Sequence, residues 1–376
     1  MLLLSQENGG LMAKELEDLV PDIREKTAKE LADSLAREGL KADLVEPWED
    51  GYRTKDKPDT FEWWYFDADF DDGSTAVVTY TSRPANHPKG ELRPTLLLIM
   101  RSPEGDKVRL SKEFEPGDFS ASADGCDVRI GPSSVKGDLD RYELHTEAED
   151  CSADLIFTRR GPSWRPGSGV TYSGREEERY FGWLVPITYG TVEGTVVFKG
   201  EEKQVRGTCY HDHNWGNFSL RSAIDHWYWG RAHVGDFTVV FVEIVTPHLP
   251  FVGSFNIHTL MLATGEEVLT DDGLPLRLEV GDFVEGPLGG SYPTKLDWSW
   301  HSDEGDIELT IRNPKMIEAE DELAQAPSWE RALVHLVANP YYYNFNADLE
   351  LSLNLKGVKA VERGRALYEL MHLQHK

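Results

Sequence analysis

The densest group of reactive side chains in this 376-residue chain is the run Cys-Tyr-His-Asp-His-Asn-Trp-Gly-Asn at residues 209–217. Alternate side chains of a β-strand point to opposite faces. We therefore expect Asp212 to share a face with Tyr210, whereas His211 and His213 share the other face. Three interpretations are compatible with this arrangement: acid catalysis, metal binding and a structural hydrogen-bond network.

The first interpretation makes Asp212 a general acid. A carboxyl group that is buried among apolar side chains and hydrogen-bonded to Tyr210 would have a pKa well above the ordinary value of ~3.9. In its protonated form it could deliver a proton to an alkene carbon, with His211 and His213 orienting it or relaying the proton. The catalytic candidates are therefore Asp212, Tyr210, His211 and His213.

The second interpretation is a metal site. His211 and His213 on one strand face would suit zinc or iron, with His226 or Glu243 as a third ligand. The sequence contains no clear third ligand at a characteristic spacing, so we predict no metal and no other cofactor. The third interpretation is structural, since buried His–Asp–Asn networks often fix the junction of a barrel.

Two aromatic segments, residues 61–70 and 226–233, are predicted to be strands with large rings on both faces. Their simplest role is core packing. Alternatively, the rings line a cavity, where their faces would attract a carbocation. The side chains considered as substrate contacts on this basis are Trp63, Trp64, Tyr65, Trp227, Tyr228 and Trp229, together with Trp215 of the run at residues 209–217.

Glu243 is also a candidate. It shares a strand face with Phe237, Val239 and Phe241, and burying an unpaired charge there is costly. We therefore expect Glu243 either to pair with a cation such as Arg231 or to be held neutral as an acid.

The elements that position these residues are predicted to be mainly antiparallel β-strands, because short β-branched and aromatic segments alternate with Gly, Pro, Asp and Asn. A helix is expected in the first forty residues, beginning near Pro21 and ending at Gly39, after a leader at Met1–Gly10. A short helical segment is expected near Ser328–Val337. The predicted strands are Phe61–Phe70, Thr75–Thr81, Thr95–Met100, Leu155–Thr158, Gly194–Lys199, Phe237–Val245, Asn256–Ala263, Lys295–His301, Ile307–Arg312 and Ala347–Leu355.

An internal similarity favours two barrel-like halves. An aromatic strand, a tight turn and a β-branched strand follow one another from Glu62 to Val78 and again from His226 to Val240. We therefore predict three parts: a leader with an amphipathic helix at residues 1–45, a first β-barrel at 46–218 and a second at 219–376.

The amino-acid composition restricts the classes of partner that the protein is expected to bind. Acidic residues exceed basic ones by 66 − 39 = 27, which gives a net charge of −27. This charge repels phosphate backbones and anionic lipids, so neither nucleic-acid binding nor stable membrane association is expected. Three cysteines without metal-site spacing fit a reducing cytosol, and the first residues lack the basic segment of a secretory signal. We expect a cytoplasmic monomer or homodimer that binds a hydrophobic small molecule.

Two motifs together resemble a known family. They are Glu62-Trp63-Trp64-Tyr65-Phe66-Asp67 followed by an Asp-Gly turn, and Tyr210-His211-Asp212-His213-Asn214-Trp215-Gly216. The combination is similar to the carotenoid 1,2-hydratase (hydroxyneurosporene synthase, CrtC) and AttH-like family, from about residue 46 to the end. This resemblance implies two consecutive lipocalin-like β-barrels, in agreement with the internal similarity.

For the carotenoid hydratases, the resemblance implies protonation of a terminal isoprenoid double bond and capture of the tertiary cation by water. The family's Tyr-His-Asp element falls on Tyr210, His211 and Asp212. This implies that Asp212 is the proton donor and that Tyr210 is its neighbour or a cation stabiliser. A tryptophan of the family site is matched by Trp183, which joins the substrate-binding candidates.

We therefore expect a cofactor-independent hydratase, isomerase or cyclase that acts on an alkene- or polyene-containing natural product, a terpenoid or a polyketide. Its aromatic chamber would lie at or between the barrels, with Asp212 pointing into it. One alternative is a pericyclase (Diels–Alderase type) that works by shape and by a hydrogen bond from Tyr210 or His213. Another is a non-catalytic lipocalin-like carrier of a hydrophobic ligand.

Overall fold

The computed structural model describes residues 28–85, 88–174, 176–248, 254–321 and 340–373. In these ranges the chain forms two antiparallel β-sheets, which confirms the all-β prediction. None of the helices described there has the length and apolar character needed to cross a lipid bilayer. The predicted leader, the predicted helix start at Pro21 and the predicted segment Ser328–Val337 lie outside the described residues.

The N-terminal helix is described from residue 28 to residue 38. It ends at Gly39 as predicted, where φ is +72°, a left-handed conformation that glycine adopts at little cost. Leu35 is its buried apolar side chain. The helix packs on the segment around residues 168–172, where the Ser34 and Ser168 hydroxyls are 2.7 Å apart.

The first sheet follows a short 3₁₀ helix at Pro47–Asp50. A second 3₁₀ turn lies at Pro116–Asp118. The twelve strands of this sheet are β1 (Phe61–Phe70), β2 (Thr75–Arg83), β3 (Thr95–Arg101), β4 (Lys107–Glu113), β5 (Phe119–Ala121), β6 (Asp127–Ile130), β7 (Ser133–Gly137), β8 (Arg141–Ala148), β9 (Cys151–Arg159), β10 (Val170–Ser173), β11 (Arg179–Phe198) and β12 (Glu201–Gly216).

A 3₁₀ turn at Leu220–Ser222 connects to the second sheet. The nine strands of the second sheet are β13 (His226–Val234), β14 (Phe237–Val245), β15 (Asn256–Thr264), β16 (Glu267–Thr270), β17 (Leu276–Glu285), β18 (Ser291–Ser302), β19 (Gly305–Asp321), β20 (Tyr341–Leu355) and β21 (Val358–His372).

The two sheets repeat one strand order. The first runs β4-β3-β2-β1-β12-β11-β9-β8-β7-β6-β5, with β10 on β11, and the second runs β16-β15-β14-β13-β21-β20-β19-β18-β17. In each, the aromatic strand that opens the half (β1 or β13) pairs with the strand that closes it (β12 or β21). The internal similarity therefore corresponds to two equivalent hairpins, β1–β2 and β13–β14. The division into domains at residues 46–218 and 219–376 stays a prediction.

Side chains alternate between the two faces of β1, and those on the inner face form part of the core of the first sheet. Trp64 and Phe66 are buried on the inner face. The Phe66 ring lies 6.2, 5.8 and 5.7 Å from the rings of Tyr80, Tyr142 and Phe157. These edge-on aromatic contacts fix the orientation of β1, so its odd-numbered residues face outward.

The outer face of the first sheet packs on the second sheet. Val185 of β11 and Tyr210 of β12 form one buried cluster with Val240 of β14 and Met261 of β15. A polar side chain on the outer face of β12 is therefore enclosed between two sheets.

Strand β11 changes register beside this cluster. Its pairing with β12 shifts between Leu184 and Ile187 and again between Ile187 and Gly190. Such bulges bend a strand and re-aim its side chains. The straight segment before the first shift carries Trp183, which pairs with Asn214 of β12.

Candidate active site

Asp212 lies on the outer face of β12 and receives three hydrogen bonds. Its Oδ2 atom accepts one from the Tyr210 hydroxyl at 2.9 Å and one from the Trp183 indole Nε1 at 3.4 Å. Its Oδ1 atom accepts one from the Asn214 amide at 3.0 Å. Strand alternation brings Tyr210 and Asn214 to Asp212 as the sequence predicts, and the pairing of β11 with β12 brings Trp183.

Burial raises the pKa of Asp212 to about 7, although the hydrogen bonds from Tyr210 and Trp183 oppose the rise. The residue is only 9% exposed, and loss of solvation disfavours the charged form. A substantial fraction of this carboxyl is therefore protonated at neutral pH, which is the state that a general acid requires. The same donors would stabilise the carboxylate that remains after the proton has left.

Aromatic rings enclose this carboxyl. Tyr65 of β1 lies directly opposite Asp212 in the ladder, and its ring is 6.4 Å from that of Tyr210. Trp229 of β13 approaches Tyr210 from the second sheet, with the ring centroids 5.4 Å apart. Tyr65, Trp183 and Trp229 are half-buried and border the cluster between the sheets. Such a wall suits a developing positive charge on a ligand.

The two histidines occupy the opposite face of β12. Nδ1 of His211 lies 2.9 Å from the Tyr65 carbonyl, and Nε2 lies 3.1 Å from Asp50. Nε2 of His213 lies 2.8 Å from Glu62, and Nδ1 lies 3.1 Å from Asp50. The predicted proton relay from these histidines to Asp212 is therefore wrong, because both imidazoles lie on the other face of the strand. Their contacts match the structural interpretation, in which a buried polar network fixes the core.

The structure does not group the ligands considered under the metal-site interpretation. His226 and Glu243, the proposed third ligands, belong to the second sheet. In the described part of the chain, one group of ligand atoms lies within 4.8 Å of one another: those of Asp50, Cys126 and His211. The Asp50 carboxylate already contacts His211 there, so this set differs from the predicted one in two of its three members.

The predicted substrate-binding side chains divide between two environments. Trp64 and Trp215 lie on the inner face of the first sheet, with ring centroids 4.6 and 4.9 Å from that of His213. Tyr228 is in the core of the second sheet. Because strand alternation turns these three rings away from Asp212, their assignment to its site is corrected. The candidates on faces between the sheets are Trp63, Tyr65, Trp183, Trp227 and Trp229.

Glu243 is paired, but not with Arg231. Its Oε2 atom lies 2.6 Å from Nε2 of His258 and accepts a hydrogen bond from Asn256 at 3.2 Å. Arg231 instead forms an ion pair with Asp67 of β1. Asp67 was not among the site residues predicted from the sequence. A sequence signal for it exists, because Tyr65-x-Asp67 repeats the pattern Tyr210-x-Asp212.

Two cavities in the described part of the chain can be compared with the chamber predicted beside Asp212. One cavity, of about 10 Å³, is lined in part by Trp183, Trp215 and Arg165. The other, of about 390 Å³, lies around Trp300 at the end of the second sheet. Asp212 lines neither of these two cavities, and the chamber expected beside it stays a prediction.

Curated relatives match part of the chain. The quinolone epoxide rearrangement protein penF of Penicillium thymicola is 23% identical over 215 residues, which cover 50% of this chain and 56% of that protein. Hydroxyneurosporene dehydrogenase of Chlorobaculum tepidum is 26% identical over 213 residues, covering 47% and 54%. The ceramide-binding protein SVF1 of Yarrowia lipolytica is 21% identical over 287 residues, covering 69% and 71%. The chain thus spans about half the length of the first two relatives.

Solved structures share the fold. A protein assigned as AttH from Nitrosomonas europaea superposes with a TM-score of 0.60 at 17% identity, over 87% of this chain and 96% of that one. Kievitone hydratase from Nectria haematococca superposes with a TM-score of 0.54 at 14% identity, over 88% and 94%. These neighbours confirm the AttH-like, lipocalin-type architecture.

The family model for a domain of unknown function, DUF7064, matches residues 50–258. The matched segment contains β1, β11 and β12, and with them Asp212 and every side chain that hydrogen-bonds to it. Since the match covers more than half of the 376 residues, this chain belongs to the DUF7064 family.

Proposed function

We propose that this protein is an enzyme that protonates a carbon–carbon double bond of a natural product, with Asp212 as the proton donor. The product is a hydrated, isomerised or cyclised compound. The observation that carries the proposal is a buried carboxyl that three side-chain donors hold in place between aromatic rings.

The chemistry follows from the surroundings of Asp212. Its burial favours the protonated form, and Tyr210, Trp183 and Asn214 stabilise the carboxylate that forms as the proton leaves. The cation left on the substrate would face the Tyr65 ring, and each such contact is worth ~0.5–2 kcal/mol. Exclusion of water between the sheets strengthens both effects.

The names of similar proteins support this class of reaction. They include a hydratase and a quinolone epoxide rearrangement protein. Protonation of a double bond or of an epoxide oxygen by one buried acid serves hydration and rearrangement alike. The substrate we propose is therefore an apolar compound of secondary metabolism that carries an alkene or an epoxide.

The test uses kievitone, hydroxyneurosporene and a quinolone epoxide as probes, with the purified protein in D₂O. We expect turnover of at least one probe, with one solvent deuterium on a product carbon of the alkene probes. Asp212→Asn should lower the rate by about 10²–10⁴-fold while probe binding persists. Unchanged turnover in Asp212→Asn would refute the proton-donor role.

A carrier of a hydrophobic ligand is the second candidate. The match to a ceramide-binding protein over 69% of this chain favours it. A carrier would bind a ceramide or a probe without forming product, and Asp212→Asn would not change this. A concerted cyclisation would give product without deuterium at the reacting carbons, and most of its rate would survive the same substitution.

A further inference from the structure

Strands β1 and β12 carry the same Tyr-x-Asp pattern at facing positions. Tyr65 lies opposite Asp212, and Asp67 lies opposite Tyr210. Opposite residues of an antiparallel pair share a face, so both carboxyls and both phenols project toward the second sheet. The site therefore contains a second buried carboxyl, that of Asp67, diagonal to Asp212.

Asp67 is 5% exposed and has one strong partner. The Nη2 atom of Arg231 in β13 pairs with its Oδ1 atom, and the guanidinium carbon lies 5.1 Å from the Tyr210 ring centroid. The Oδ2 atom of Asp67 and the Nε atom of Arg231 are buried without a hydrogen-bond partner. An unpaired buried acceptor and an unpaired buried donor are each costly. A ligand O–H group donates and accepts, so it can satisfy both.

We propose that Asp67, held by Arg231, binds an O–H group beside Asp212 and accepts its proton during the reaction. This inference rests on the proposed function, in which Asp212 protonates the substrate, and it assigns the other half of that reaction. The O–H group is water in a hydration and a hydroxyl of the substrate in a cyclisation.

The steps balance. The O–H bond of Asp212 breaks as a C–H bond forms at one alkene carbon, which leaves a cation on the other. The oxygen of the bound O–H group forms a C–O bond to that cation, and its proton passes to the Asp67 carboxylate. The two carboxyls hold one proton before and after, and its return to Asp212 resets the site. No electrons are gained or lost overall, so no oxidant or reductant is needed.

The groups around Asp67 and Asp212 allow the two carboxyls to share one proton. Burial raises the pKa of Asp67 to about 7, Arg231 and the Tyr65 side chain lower it, and Asp69 and Asp212 raise it further. Other titratable groups that act on the pair or on its neighbours are Tyr65 of β1, Cys209, Tyr210 and His213 of β12, and Glu369 of β21. Two neighbouring carboxyls, one of which raises the pKa of the other, tend to hold a single proton between them.

The first test is Asp67→Asn, with the three probes in ¹⁸O-labelled water. We expect protonation to continue but the C–O product to fall by about 10²-fold, while isomerised alkene accumulates because the cation loses a proton instead. The decline of activity at low pH, where Asp67 becomes protonated, should also disappear. An unchanged product ratio and an unchanged low-pH decline would overturn the inference. Isotope in the wild-type product identifies water as the O–H group, and its absence identifies a substrate hydroxyl.

Asp69→Asn is the matched control. This exposed carboxyl also lies 3.5 Å from Nη2 of Arg231, and its loss should lower the pKa of Asp67 but leave the product ratio at neutral pH unchanged. If Asp67→Asn does not fold because Arg231 is left buried and unpaired, the double variant Asp67→Asn/Arg231→Met removes both charges and takes its place.

A second test needs no substrate. Side-chain carboxyl carbons are titrated by ¹³C NMR in the wild type, Asp67→Asn and Asp69→Asn. We expect Asp67 to titrate far above ~4 and the pKa of Asp212 to fall in Asp67→Asn, because a neighbouring negative charge is removed. If Asp67 titrates near the ordinary pKa of ~4 while the pKa of Asp212 is raised, this inference is overturned but the proposed function is not. An ordinary titration of Asp212 overturns the proposed function.

Discussion

The indole of Trp183 and the carboxyl of Asp212 meet across the β11–β12 ladder, with Nε1 3.4 Å from Oδ2. The contact forms because the register of β11 shifts only after this tryptophan. An indole N–H can donate but not accept, so it stabilises the ionised carboxyl. Trp183 therefore opposes the effect of burial on the pKa of Asp212.

Replacing this donor should make Asp212 a weaker acid. In Trp183→Phe, we expect the pKa of Asp212 to rise from about 7, because a hydrogen bond to the charged form is lost. The high-pH decline of activity should move upward by up to about one pH unit. Trp298→Phe, in the core of the second sheet, removes the same ring volume without touching Asp212 and should leave the profile in place. A shift to lower pH in Trp183→Phe would contradict the assignment.

Stability should fall as pH rises through the titration of Asp212. Its pKa is higher in the folded protein, about 7, than the ~3.9 of an unfolded chain, so the folded state binds more protons between these values. The contribution is fully present below pH ~4 and is lost as pH approaches about 7. Urea unfolding from pH 4 to 8 should show a smaller decline in Asp212→Asn than in the wild type. Equal declines would contradict the raised pKa.

The buried network on the inner face of β12 should matter for stability. Asp50 lies 3.1 Å from both His211 and His213 and accepts a hydrogen bond from Tyr142 at 2.6 Å. We expect Asp50→Asn to lower the free energy of unfolding by about 3–5 kcal/mol, because three buried side chains lose the carboxylate that they contact.

The matched control for Asp50→Asn is Asp154→Asn. Asp154 pairs with His145 at 2.5 Å, but both side chains are exposed. Loss of such a surface pair should cost at most about 1 kcal/mol. Similar costs in urea unfolding of the two variants would show that the Asp50 network contributes little.

Gly182 is required by the ring that covers it. A Cβ atom at this position would lie 2.0 Å from the indole of Trp215, so Gly182→Ala forces that ring to move. We expect a loss of about 1–3 kcal/mol in the free energy of unfolding. Gly117→Ala, where a Cβ would meet nothing within 4 Å, should change stability by no more than about 0.5 kcal/mol. Equal effects would contradict the packing described for Trp215.

The sequence predicts the features of this fold that depend on local alternation. The bounds of β1 and β14 match the predicted strands Phe61–Phe70 and Phe237–Val245. The shared face of Tyr210 and Asp212 follows from the same period of two. Trp183 was a candidate because of the AttH-like resemblance. No local sequence pattern indicates its contact with Asp212.

Features that depend on packing between strands far apart in the chain were not predictable in the same way. The pairing of Arg231 with Asp67 rather than Glu243 is set by how the second sheet packs on the first. Likewise, Asp50 reaches the two histidines from a 3₁₀ turn about 160 positions earlier in the chain. Whether a chamber lies beside Asp212 is not predictable from the sequence either, because ring types do not reveal how closely two sheets approach.

The most direct test of the central claim is a pH titration of the Asp212 side-chain carboxyl carbon by ¹³C NMR, with the resonance assigned from its loss in Asp212→Asn. A proton donor buried between two sheets should titrate with a midpoint near pH 7. A midpoint near the ordinary value of ~3.9 would mean that the carboxyl is ionised at neutral pH, and it would contradict the role of Asp212 as the acid.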